Sequence, residues 1–136
     1  MTKTKQRLRI VLGIAFVLAG LNHFRVPAFY ITLMPDYIPA HAEMVYLSGF
    51  TEVVTGAMLL FPRTLRLGAW LAIAHLVVFF TVHIWMLQHA SQRYTSVPEA
   101  LLWVRLIVQF VLIAWAYWYT IDSTNPSKQK DGYHET

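Results

Sequence analysis

Apolar residues fall into four long, nearly unbroken runs, separated by short stretches rich in proline or charge. The runs are residues 8–24, 42–61, 67–87 and 101–119. Each is within the roughly 17–25 residues that let a helix cross the hydrocarbon core of a bilayer. None alternates apolar and polar positions over about ten residues, as a membrane β-strand would. The pattern predicts an all-α fold: a transmembrane four-helix bundle.

The breaks between runs fit this reading. Pro62, Arg63 and Thr64 form a tight turn between the second and third spans. Residues 88–100 link the third and fourth, with Pro98 near the start of the last helix. The first connection, "RVPAFYITLMPDYIPAH", holds Pro27, Pro35 and Pro39 with Phe29, Tyr30, Met34 and Tyr37 between them. It is too apolar for a solvated loop and too broken for a span, so it predicts a proline-rich cap at the headgroup level. Residues 1–120 then form one membrane domain. Residues 121–136 read as a polar cytoplasmic tail without fixed structure.

Composition sharpens the class. Of 136 residues, 57% are hydrophobic and only 13% charged, about half the charged share of a soluble domain. Mean hydropathy is +0.46. There is no cysteine, which excludes disulfides, dithiol redox chemistry and thiolate metal sites. The basic residues do not line one stripe, so nucleic acid is not an expected partner; the lipid bilayer is. Instead they sort by side. Lys3, Lys5, Arg7, Arg9, Arg63, Arg66, Lys128 and Lys130 fall on one side of the spans, and only Arg25 and Arg93 on the other. This imbalance predicts a multi-pass protein of the inner cell membrane with both termini in the cytoplasm. A cleaved secretory signal, "KTKQRLR" before an apolar stretch to "LAG", is the rival reading, and it lacks an A-x-A site.

Few ionisable groups lie inside the spans. Arg105 is in the fourth, Glu52 in the second, and His75 and His83 in the third; Asn22 and His23 end the first. A charge at mid-membrane costs about 2.5–3.5 kcal/mol on insertion scales, and so faces the bundle interior and a partner. By helical rise, Arg105 lies roughly 6–9 Å below the outer surface, Glu52 roughly 13–15 Å and His83 roughly 6 Å. Ser48, Glu52, Thr55 and Gly56 share one side of their helix, and Arg105 and Gln109 stack four apart. The expectation is that Arg105 pairs with Glu52. Gln109, Ser48, Asn22, His23 and His83 complete a polar pocket opening outward beneath the cap. His75 reads as a hydrogen-bonded core histidine. Gly13, Gly20, Gly49 and Gly56 read as close-packing positions.

The segments "GLNHF" (20–24), "MPDYIP" (34–39), "LSGFTEVVTGAMLL" (47–60), "PRTLR" (62–66) and "RLIVQ" (105–109) occur in an order and at spacings that resemble the DoxX-like family of small four-helix membrane proteins. The resemblance covers about residues 10–120. It implies that Glu52, Arg105 and Gln109 are signature positions. The family's third helix often carries Pro-x-Asn near its outer end; here "TVHIWM" puts His83 in that place. The family takes its name from a subunit of a thiosulfate:quinone oxidoreductase; some relatives associate with redox enzymes at the membrane and distant animal relatives help assemble receptors, so the resemblance implies a fold and a pocket with more force than a reaction.

Three functions compete on these residues. In the first, the pocket hydrogen-bonds a quinone, and a membrane redox partner supplies the electrons. In the second, the chain is a non-enzymatic assembly or structural factor, or packs as a homo-oligomer. The third, a small multidrug transporter, is the weakest, because such proteins carry their glutamate in the first helix. A haem between His23 and His83 is disfavoured by the cation expected between them. No metal site is expected.

Overall fold

The structure, a computed structural model, describes residues 1–121. The expected tail, with its Lys128 and Lys130, lies outside the described residues. Among these, the chain forms helices and no strand: α1 (Lys3–Arg25), α2 (Pro27–Leu33), α3 (His41–Leu60), α4 (Leu65–Gln88), α5 (Ala90–Arg93) and α6 (Glu99–Ile121). Each apolar run of the sequence lies on one long helix. Three of these, α1, α4 and α6, are long and apolar enough to cross a membrane. At 1.5 Å per residue, the 23 residues of α1 measure roughly 34 Å, against a hydrocarbon core of about 30 Å. The remaining long helix, α3, breaks its apolar run with Ser48, Thr51, Glu52 and Thr55.

Local chemistry sets the helix ends. The Thr2 hydroxyl accepts the Lys5 amide at 3.2 Å and caps α1. Pro27 begins α2 at the position where a missing N–H costs nothing. Past the end of α3, the Thr64 hydroxyl donates to the Met58 carbonyl at 2.8 Å and satisfies one of the last carbonyls of the helix. The proline-rich connection therefore contains about two helical turns, α2, where the sequence predicted a cap too broken for a span. Pro27 permits a helix to its C-terminal side, and the next proline, Pro35, falls just after that helix ends.

Packing is unequal around the bundle. α1 and α3 run antiparallel at backbone contact, because glycines face glycines. A methyl group added at Gly20 would sit 2.6 Å from the Gly49 carbonyl oxygen, and one at Gly56 would sit 2.7 Å from that of Gly13. α4 packs on α3 and on α6. The apolar core gathers toward the end that holds the N-terminus: Leu12 and Phe16, Leu59, Ala69, Ala72 and Leu76, and Ala116 with Tyr119. Met86, Tyr94 and Leu102 form a smaller cluster at the other end. Large apolar side chains such as Leu18, Phe50, Val78, Ile107 and Phe110 point outward on all the long helices. A surface of this kind suits a lipid environment and would aggregate in water.

Substituting Gly56 by alanine is expected to force α1 and α3 apart and cost about 1–3 kcal/mol. Gly20→Ala and Gly49→Ala face each other, so the double substitution is expected to cost less than the sum of the singles. Thermal melts in a fixed detergent check both. Unchanged melting for Gly56→Ala would show that the helices do not touch there.

Candidate functional site

The glycine contact between α1 and α3 also places their ionisable groups. The Gly49 backbone abuts His23, whose Cβ a methyl at Gly49 would meet at 2.7 Å. One turn further along α3 stands Glu52. Its Oε2 lies 3.3 Å from His23 Nδ1, and both side chains are buried. That approach is not a sound hydrogen bond. His23 Nδ1 is also 2.9 Å from the Ala19 carbonyl, an acceptor only, which identifies Nδ1 as the protonated nitrogen and takes its hydrogen. Glu52 Oε2 is left buried without a hydrogen-bond partner.

These groups face a cavity of about 220 Å³ between the helices. Ser48 and Glu52 come from α3, His23 from α1 and His83 from α4; Arg105 is the contribution of α6. Ala19, Val45, Phe79, Val82 and Met86 supply apolar wall, and Tyr30, Leu33 and Met34 close it from α2 and the residue after it. His83 Nδ1 is a second buried polar atom without a partner. The fold thus brings Glu52, Arg105, Ser48, His23 and His83 around one cavity.

The expected ion pair is not formed. Among the described residues Arg93 pairs with Asp36, and Glu52 lies against His23, whose Nδ1 is turned to the Ala19 carbonyl. Arg105 and Glu52 share the cavity without contact. The reason is helix adjacency: α6 packs on α4, whereas α3 packs on α1 and α4, so Arg105 enters from the far wall. Gln109 is outside the cavity lining. Its Nε2 donates to the Leu76 carbonyl at 2.6 Å and ties α6 to α4. Asn22 also stands behind the wall. It donates to the Tyr30 hydroxyl at 2.7 Å, and its oxygen accepts from Arg25 Nε at 3.0 Å. His75 is held as a core histidine, between the Leu71 carbonyl and the Thr51 hydroxyl, each at 2.8 Å.

Sequence reasoning missed Tyr30 as a site residue. Its ring stacks on His23 with centroids 3.9 Å apart and planes 19° from parallel. The signal lay in Pro27, which starts the short helix and so turns Tyr30 inward. The cap over the cavity is tied across to the far connection. Arg93 Nη1 donates to Asp36 Oδ1 at 2.6 Å, and Tyr37 packs edge-on against Trp85. The Asp36 hydrogen bond, and then its charge, hold the Arg93 guanidinium above its ordinary pKa. Burial pushes the Tyr94 phenol up in the same region. Among the described residues no three histidine, aspartate or glutamate side chains converge as a metal group.

The fold and this cavity define a class: a helical protein with three helices long and apolar enough to cross a membrane, and ionisable groups collected in a pocket at one end of its helices. Residues 12–120 match the family described as "Domain of unknown function (DUF8561)", and the chain belongs to that family. The matched segment contains every residue of the cavity. No curated protein and no solved structure matches the chain.

Gln109→Leu removes a buried amide and leaves the Leu76 carbonyl with one partner fewer. It is expected to lower stability by about 1 kcal/mol and to leave the ligand affinity of the cavity unchanged. A melt and a binding titration separate the two effects; a large affinity loss at unchanged stability would return Gln109 to the site.

Proposed function

We propose that the chain crosses the inner cell membrane four times, with both termini in the cytoplasm, and that its cavity holds a quinone headgroup for a membrane redox partner. The observation that carries this reading is the buried Glu52 carboxyl, unpartnered at Oε2, across an apolar-walled cavity from Arg105 and His83. A quinone is a flat apolar ring with a hydrogen-bond acceptor at each end. Arg105 suits one carbonyl oxygen. Glu52, as the carboxylic acid, suits the other and can pass it a proton. The lining of Phe79, Val82 and Met86 suits the ring. Reduction to the quinol takes two electrons and two protons. With no cysteine in the chain, the electrons come from a partner protein. The resemblance to the DoxX-like family supports the same reading.

Full-length protein in detergent is expected to bind a short-chain ubiquinone or menaquinone analogue, seen by native mass spectrometry and by quenching of tryptophan fluorescence. Arg105→Gln, which removes a charged donor, and Glu52→Leu, which removes the carboxyl donor, should each weaken binding about tenfold or more. Equal binding by all three proteins would sink the assignment. Failure to bind together with co-purification of one stable partner would instead favour a non-enzymatic assembly factor.

Reporter fusions test the topology. Tags at either terminus should be reached only from the cytoplasmic side, and a periplasmic signal from the C-terminal tag would restore the cleaved-signal reading.

A further inference from the structure

The ends of the helices opposite the cavity carry a second set of groups that the quinone reading does not use. Lys3, Lys5, Arg7, Arg9, Arg63 and Arg66 gather there, while Asp36, Glu43, Glu52 and Glu99, the acids of the described residues, all belong to the other half of the helices or to the connections beyond it. Two of these cations are inside the fold: Lys5 is 3% exposed and Arg9 4%. They lie one turn apart on the same face of α1, and that face meets α6. Lys5 Nζ donates to the Trp118 carbonyl at 3.2 Å and sits 4.4 Å over the Trp118 ring, and the Tyr119 hydroxyl donates to the Lys5 carbonyl at 2.9 Å. Arg9 differs. Its Nε and Nη1 are buried without any hydrogen-bond partner. A guanidinium withdrawn from water keeps its charge and needs an anion or an acceptor to offset the loss of hydration.

Beside this pair runs an apolar groove of about 550 Å³ between α1 and α6, walled by Leu8, Ala114, Trp115, Trp118 and Ile121. Lys5 borders the groove through Trp118, and Arg9 directly follows Leu8 of the groove wall in the chain. We propose that this end of the bundle binds one anionic phospholipid, its phosphate paired with Arg9 and its acyl chain laid along the groove. Charge complementarity selects the anion. The continuous apolar wall selects a lipid over a free phosphate, and the ring of Trp118 marks the depth at which headgroups meet acyl chains. Basic residues at this level are attracted to the anionic leaflet surface; here the buried arginine makes the attraction local and saturable.

The test uses full-length protein in a neutral detergent. Short-chain phosphatidylglycerol is expected to raise the melting temperature and to appear as one retained molecule in native mass spectra, whereas phosphatidylcholine of equal chain length does neither. Arg9→Gln should weaken phosphatidylglycerol binding about tenfold or more, and Arg9→Lys should keep most of it. Where Arg9→Gln does not fold, Leu8→Glu, which puts a like charge in the groove, should abolish the same binding. Equal effects of the two lipids, or undiminished binding by the folded variants, would overturn the site. The same stabilisation by inorganic phosphate alone would assign it to a free anion and overturn the lipid.

Discussion

The contact on which the molecule depends is the one between the backbones of α1 and α3. Gly13 meets Gly56 and Gly20 meets Gly49, an antiparallel register in which Val17, Val53 and Leu60 pack directly onto the bare backbone of the facing helix. Close van der Waals contact between small residues of this kind holds two helices together at short range. Two glycines seven residues apart on each helix keep the approach over two turns. The same register brings Glu52 beside His23. Slipping it by one residue would carry Glu52 about 100° around its helix, toward lipid.

A buried polar group normally finds a partner, and the exceptions need a reason. Here Glu52 Oε2 and His83 Nδ1 are exceptions, and both belong to residues that face the same cavity. The neighbouring groups are tied down. His23 is fixed by the Ala19 carbonyl and by the Tyr30 ring, Ser48 bonds the Met44 carbonyl, and Gln109 is committed to Leu76. The pocket therefore combines rigid walls with spare hydrogen-bonding capacity. Ligand sites share that combination, because orientation is settled before the ligand arrives.

Much of this was legible in the residues, and what was not has a definite cause. The long helices announced themselves through apolar runs, and the close-packing glycines through their spacing. Depth along a helix is also readable, which is why Glu52, His23 and His83 were expected in the outer half of the spans, within reach of Arg105. Adjacency is not readable in the same way. Nothing in one chain says whether α6 leans on α3 or on α4. It leans on α4, and this separates Arg105 from Glu52 and turns Gln109 to Leu76 rather than to the cavity. The connections were the other blind spot. A stretch with three prolines reads as irregular, yet seven residues beginning with one of them form α2 and deliver Tyr30 and Leu33 to the cavity wall.

α6 stands apart from the other walls of the cavity. It supplies Arg105 alone, and it meets α1 through Lys5, Trp118 and Tyr119 at the far end of both helices. At its head Leu102 is buried with Met86 and Tyr94, so this stave is fastened at both ends. Its guanidinium therefore stands at a fixed height, and an incoming molecule has to match the gap as it finds it.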